Sequence, residues 1–351
     1  MSRRILIVRR ENIGDLILTT PLIRALRTAM PDAFIAALVN SYNAPILAGN
    51  NDVDVVYVYH KGKHADSWQA FVRARLAQAM QLWQLRKQKF DDVLLPDPRY
   101  SVRNIRMAKF ILAGRPNTRT IGFEESENGN RAGLDMAISK ANTDLWHQAQ
   151  YMYLAAAAFG ISADPRDTPR CVLVPQKIDA SITINQSASV GPIIGLHISA
   201  RKPSQRWPAA AFVELATLLH QHHRARIKLF WSPGHDDDLL HPGDDGKAEV
   251  ILAGVDANID LVPVPTTTLR TLIDAMAMVD LVVCADGGAL HVAAGLGKPI
   301  VALFGDSEVK RWHPWGVPYR AIQKSSNTVI DISPIEVLAA VDELIDHAAA
   351  K

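Results

Sequence analysis

What most constrains this chain is an alternation: short β-branched and aliphatic runs, separated by stretches with helical spacing, recur from one end to the other. The runs at 5–8, 34–39, 55–59, 93–95 and 120–123 form a first series, and those at 193–197, 227–231, 250–252, 281–284 and 300–304 a second. Strands alternating with helices are expected to lie in parallel sheets covered by helices. Between the two series, residues 162–186 turn irregular around Pro165, Pro169 and Pro175 and read as a linker. With 351 residues, and about 150 per domain as a guide, the expectation is an α/β chain of two Rossmann-like domains, 1–175 and 176–333. An amphipathic helix over 334–351 closes it, with Ser333 as cap and Pro334 at the first helical position.

A content of 48% hydrophobic and 21% charged residues excludes the disordered class. The two cysteines, Cys171 and Cys284, are far apart among apolar neighbours, which argues against a disulfide framework or a cysteine-zinc site and fits a reducing cytoplasm. The first apolar run stops at Arg9, and no uncharged stretch reaches the roughly 18 residues of a membrane span. A cytoplasmic protein, neither exported by a signal peptide nor embedded, is therefore expected. The net charge of +2 hides an asymmetry: residues 1–185 hold 24 Lys and Arg against 17 Asp and Glu, and residues 186–351 hold 14 against 19. A basic first half favours an anionic partner, with solvated surface as the competing reading.

Four segments carry side chains suited to chemistry. The first run leads into Ile13-Gly14-Asp15, where a carboxylate stands at the mouth of a helix whose dipole favours its charged form. In the second half, Asp286-Gly287-Gly288 follows a buried run and precedes a small-residue helix. That helix terminus offers unpaired N–H groups to phosphate, and His291 follows one turn later. Asp286 also reads as a helix cap and His291 as a packed histidine. The segment 197–208 places Ser199, Arg201, Lys202, Ser204 and Arg206 after a strand, where open α/β sheets bind ligands and cations can neutralise a leaving diphosphate. Trp207 reads as a packing anchor. Asp236, Asp237 and Asp238 suit either a ribose or a first helical turn, and Asp52 and Asp54 lack the further ligands that a metal needs.

Taken together, the blocks 5–26, Arg206-Trp207-Pro208, 286–291 and 297–305 resemble glycosyltransferase family 9, the ADP-heptose:lipopolysaccharide heptosyltransferases. The resemblance implies a GT-B fold, two Rossmann-like domains facing a cleft, with an acceptor-binding first domain and a donor-binding second. It implies Asp15 as general base, and Asp286, Gly287 and Gly288 as the seat of the donor diphosphate with His291 beside it. Two positions depart from the family: Gly287 stands where Thr or Ser is usual, and Gln205 where Lys is common.

The reading that follows is an inverting, metal-independent transfer from an ADP-sugar co-substrate to a lipopolysaccharide or other surface glycan, with no resident cofactor. Gly14 lets the acceptor approach the backbone. Arg99, Arg103, Arg106 and Lys109 recur at spacings of three and four, on one helix face, where they meet phosphates of a lipid-linked acceptor at the inner membrane or are simply solvated. Nucleic acid is not an expected partner. Open alternatives are a GT-B transferase for another nucleotide sugar in O-antigen or capsule assembly, and a nucleotide-sugar binding module without turnover. A dehydrogenase is disfavoured because the first turn lacks G-x-G-x-x-G.

Overall fold

The computed structural model describes residues 2–59, 68–125, 129, 131–139, 146–176, 191–237 and 243–349. The chain divides into two compact units, Met1–Pro169 and Arg170–Lys351. The first holds strands β1 (Arg4–Arg9), β2 (Phe34–Asn40), β3 (Val55–Tyr59), β4 (Asp92–Leu95), β5 (Arg119–Phe123) and β6 (Met136–Ile138), in the order β3-β2-β1-β4-β5-β6. The second holds β7 (Ile193–His197), β8 (Arg226–Trp231), β9 (Leu261–Pro265), β10 (Leu281–Ala285), β11 (Ile300–Phe304) and β12 (Tyr319–Gln323), in the order β12-β11-β10-β7-β8-β9. Every pairing is parallel. Each sheet thus has the same Rossmann order, which reverses between β1 and β4 in one unit and between β7 and β10 in the other. Such a reversal opens a crevice at the carboxyl ends of the two strands concerned.

The central strands are buried on both faces, which is why they read as unbroken apolar runs. Leu6, Val8, Ala36, Leu38 and Val93 pack with Phe90 and Leu85 in the first core. Ile194, Leu196, Ile227, Leu229, Val283 and Val301 do so in the second, with Trp207. Trp207 is 1% exposed and donates its Nε1–H to the Ile332 carbonyl at 2.9 Å, so it is the packing anchor its sequence suggests.

One expected strand is corrected. Residues 250–252 lie inside the helix Asp245–Gly254, where Ile251 is buried while Val250 and Leu252 face solvent, a one-sided pattern that a doubly covered strand does not tolerate. Three strands went unread, and all three are sheet edges: β6 has three residues, β9 carries Pro263 and Pro265, and β12 mixes polar with apolar residues. Prolines and polar side chains are tolerated at an edge, where one side of the ladder is unpaired. Of the expected linker, 177–186 lies outside the described residues, as does Asp238. The final helix, Pro334–Ala349, starts with a reciprocal cap, Ser333 Oγ accepting from the Glu336 N–H and Glu336 Oε2 from the Ser333 N–H. Its Asp342 meets His223 of the helix Ala209–His223, so this helix belongs to the second unit. Among the described residues no helix is long and apolar enough to cross a membrane.

His197 ends β7 at the crevice of the second unit. Burial, with Lys247 nearby, pushes its pKa down from the ordinary 6.5 to about 4, so it stays neutral in the fold while an unfolded chain takes up a proton. The unfolded state therefore binds more protons between these values, and stability falls as pH drops from 6.5 to 4, by about 3 kcal/mol. In urea titrations at pH 7 and pH 4, His197→Asn is expected to lose this part of the pH dependence of the second unit's stability.

Candidate active site

In the first unit the site is built on the turn after β1. The helix Ile13–Ile17 starts at Asn12, and Asp15 is its third residue, 8% exposed. Asp15 Oδ2 accepts the Asn12 N–H at 3.1 Å and the Asn12 side-chain amide at 3.2 Å. Its Oδ1 accepts from Arg9 Nη2 at 3.0 Å. The acid at the helix mouth is thus half a cap and half an ion pair.

Arg9, the last residue of β1, is 1% exposed, and its other terminal nitrogen lies 3.3 Å from Glu11 and 3.4 Å from Asp97. Asp97 follows β4, so carboxylates from both sides of the strand-order reversal converge on one guanidinium. Burial pushes the Asp97 carboxyl up, but Arg9 and then Arg99 more than offset this and hold it below the usual carboxylate range. Arg9, Glu11 and Asp97 escaped the sequence reading. The signal for Arg9 was a cation closing an apolar strand, where only a buried partner makes it tolerable.

Around this core lies a ring of cations. Arg10 reaches Asn104 Oδ1 and lies over the Tyr59 ring, 4.7 Å from its centre, while Arg103 donates to the Tyr59 hydroxyl at 3.3 Å. Burial lowers the pKa of Arg10, with Tyr59 opposing and Arg103 reinforcing that shift. The expected four-residue basic face needs correction. The helix spans Val102–Leu112 and is capped by Ser101, so Arg103, Arg106 and Lys109 share its exposed side, whereas Arg99 precedes it and turns back onto Asp97 at 3.1 Å. Gly14 is buried as the second residue of its helix, beside Asp15. Asp52 and Asp54 are taken up by Arg24 and Arg27, and no metal-binding group of three or more His, Cys, Asp or Glu occurs among the described residues.

In the second unit the crevice lies between the ends of β7 and β10. After β10, Asp286 and Gly287 lead into the helix Gly288–Gly295, whose first N–H groups have no partner within the helix. Gly287 has extended backbone, and a Cβ added there meets no atom within 4 Å, so the departure from Thr or Ser leaves open space at the turn. His291 is 4% exposed, with its ring 6.2 Å from that of Trp312. Gln205 crosses from the β7 side and donates to Asp286 Oδ2 and to Ser307 Oγ, each at 3.0 Å. Gly305 permits this approach, because a Cβ there would meet the Ser204 carbonyl at 2.4 Å.

The cations of this segment are placed unequally. Arg206 donates to the Ala200 carbonyl at 3.0 Å and pairs with Asp244, which is 1% exposed. It clamps its own loop. Lys202 pairs with Asp306 at 3.1 Å, and Ser204 donates to the same oxygen. Arg201 is exposed, with no ion pair among the described residues. Ser199 Oγ accepts the Ser232 N–H. Asp236 sits in an exposed turn, and among the described residues no hydrogen bond or ion pair joins it to the other candidates. The acid brought to the crevice is instead Asp244, with Lys247 beside it donating to the Ile198 carbonyl at 2.9 Å. Burial lowers Lys247 to about 8, Asp244 opposing and Arg206 assisting that shift.

Two Rossmann-like units, one bearing a buried acid at its strand-order reversal and the other a glycine-led helix start at its own, define the two-domain α/β class that includes the GT-B glycosyltransferases. Residues 81–333 match glycosyltransferase family 9 (heptosyltransferase), and the chain belongs to that family. It is a glycosyltransferase. It is similar to lipopolysaccharide heptosyltransferase 2 of Escherichia coli K12, 25% identical over 374 aligned residues that cover 97% of this chain and 98% of the relative. In fold it is similar to a family 9 glycosyltransferase from Veillonella parvula, with a TM-score of 0.78, 18% identity and 98% and 97% of the two chains covered. It is similar also to the E. coli ADP-heptose lipopolysaccharide heptosyltransferase II, with a TM-score of 0.73, 22% identity and 99% of each chain covered.

The open space at Gly287 makes the turn testable. Gly287→Ser is expected to melt within a few degrees of the parent and to bind ADP several-fold more tightly by calorimetry, as a hydroxyl joins the backbone donors. Unchanged affinity would argue against this turn as the seat of a diphosphate.

Proposed function

We propose that the chain transfers heptose, or a closely related sugar, from an ADP-sugar to the hydroxyl of an anionic, lipid-linked lipopolysaccharide acceptor, with inversion and without a metal. The observation that carries this reading is Asp15, a carboxylate buried at the first unit's strand-order reversal and ion-paired to Arg9. Each carboxylate oxygen has two lone pairs: Oδ2 gives both to Asn12, while Oδ1 accepts from Arg9 and keeps one for a proton. The acceptor hydroxyl gives its proton to Asp15, its oxygen forms the new bond to the anomeric carbon, and the bond to the diphosphate breaks with its electron pair leaving on ADP. Attack from the face opposite the leaving group inverts the centre.

The developing charge on the diphosphate is met by the N–H groups at the start of Gly288–Gly295 and by its dipole. Lys202 and Arg201 supply mobile charge, since among the described residues Lys202 pairs with exposed Asp306 alone. Arg206, already bound to Asp244, orders the loop that carries them. Arg103 and Arg106, with Arg99 and Arg10 nearer Asp97, Asn104 and Tyr59, form the anion-binding rim for acceptor phosphates.

Transfer to another nucleotide sugar is the second reading, favoured by Gln205 standing against Asp286 where a cation would change the charge under the donor. Both readings are tested by following nucleotide release with ADP-heptose beside UDP- and GDP-sugars, using the parent chain and Asp15→Asn. ADP-heptose is expected to be consumed preferentially, and the variant to fold normally while turning over roughly 10²- to 10⁴-fold more slowly. Near-parental turnover by the variant would remove Asp15 as the base, and preference for a UDP- or GDP-sugar would replace the donor.

A further inference from the structure

One surface of the first unit is unusual in what it leaves outside. The helix Trp68–Lys87 buries Leu85 completely in the core, yet exposes Leu76, Met80 and Trp83 at 59%, 62% and 54%. Spacings of four and three put these side chains on one face. The same spacing continues to Arg73 before them and Lys87 after them, both exposed. Lys87 Nζ lies 3.4 Å from the centre of the Trp83 ring. Phe110, 41% exposed on the helix Val102–Leu112 packed alongside, carries the Arg86 guanidinium 5.4 Å from its ring centre.

The two helices of this surface carry charge of one sign, with Lys109 answered from outside them by Asp135 at 2.7 Å. Residues 68–89 contain Arg73, Arg75, Arg86, Lys87 and Lys89 with no Asp or Glu, and residues 102–112 add Arg103, Arg106 and Lys109, again without an acid. An exposed stripe of Leu, Met and Trp bracketed by long cations has the composition of a helix lying in the headgroup layer. There the apolar side chains enter the acyl boundary and the cations stay with lipid phosphates. A second copy of the chain fits poorly, because two such faces would bring like charges together.

We propose that this face docks the protein onto an anionic bilayer, with Leu76, Met80 and Trp83 inserted and Arg73, Arg86 and Lys87 on the headgroup phosphates. The proposal rests on the lipid-linked acceptor reading and names the surface through which that acceptor is approached.

The test is cosedimentation of the full chain with vesicles of phosphatidylethanolamine and phosphatidylglycerol, and with vesicles of phosphatidylcholine alone. The parent is expected to pellet with the anionic vesicles, less so at high salt, and poorly with phosphatidylcholine. The triple variant Leu76→Ser, Met80→Ser, Trp83→Ser is expected to partition at least tenfold less, and Arg73→Gln with Lys87→Gln several-fold less. Both should keep parental ADP affinity and parental turnover on a detergent-dispersed acceptor. Failure of the parent to pellet, equal pelleting of the triple variant, or a solution dimer that the triple variant dissociates would each overturn the proposal. Vesicle binding that follows these expectations while the parent transfers no sugar would uphold the docking surface and remove the acceptor reading alone.

Discussion

The first unit depends on one buried guanidinium. Arg9 closes β1, is shielded from water, and pairs with Asp15 while lying within 3.4 Å of both Glu11 and Asp97. A buried charge is tolerable only when paired, and removing one partner from such a group costs about 3–5 kcal/mol. Arg9 therefore fixes more than a contact: it ties the turn after β1 to the turn after β4 across the strand-order reversal, and it holds the Asp15 carboxylate in one orientation. With three acids sharing it, the cluster keeps negative charge to spare, and Arg99 answers from the exposed side of Asp97.

Under the proposed function the second unit faces the opposite problem, since its crevice would receive the donor's diphosphate. Buried Asp244 with half-buried Arg206 and Lys247 forms a set beneath the loop after β7, linking Ala200 and Ile198 to the start of the helix Asp245–Gly254. Burial raises the Asp244 carboxyl, with Ser199, Arg206 and Lys247 opposing, and this strained acid keeps Arg206 at home. Donors toward a ligand are left to the helix start after Gly287 and to side chains at the loop's exposed edge. The exchange of a cation for Gln205 fits this arrangement, because a neutral amide satisfies Asp286 and Ser307 together.

Much of this was legible in the sequence, and the failures share a cause. Nine of the ten runs read as strands are strands: eight lie inside their sheets, where burial on both faces admits little but aliphatic residues, and the ninth, β3, is a half-buried edge that keeps an apolar run. Edge strands β6, β9 and β12 escape that constraint and with it the pattern. The turn residues Asp15, Asp286 and Gly287 were visible because they interrupt apolar runs at fixed places. The acids Asp97, Asp244 and Asp306 were not, since they lie 88, 38 and 104 positions from Arg9, Arg206 and Lys202, with which they pair, and the fold alone brings them near. Arg99 misled because a spacing of four was read through Ser101, whose hydroxyl starts the helix two residues later than the periodicity suggests.

Under the proposed function the two crevices divide the labour: the unit with Arg9 and Asp15 would move the proton, and the unit with Asp286, Gly287 and Gly288 would hold the nucleotide. The most direct measurement is ADP affinity and turnover taken side by side on Arg9→Met, after its melting temperature shows that it is folded. An ADP affinity within twofold of the parent together with a turnover lowered by two orders of magnitude or more is the outcome this division predicts. Loss of ADP affinity in proportion to turnover, or turnover close to the parent's, would contradict it.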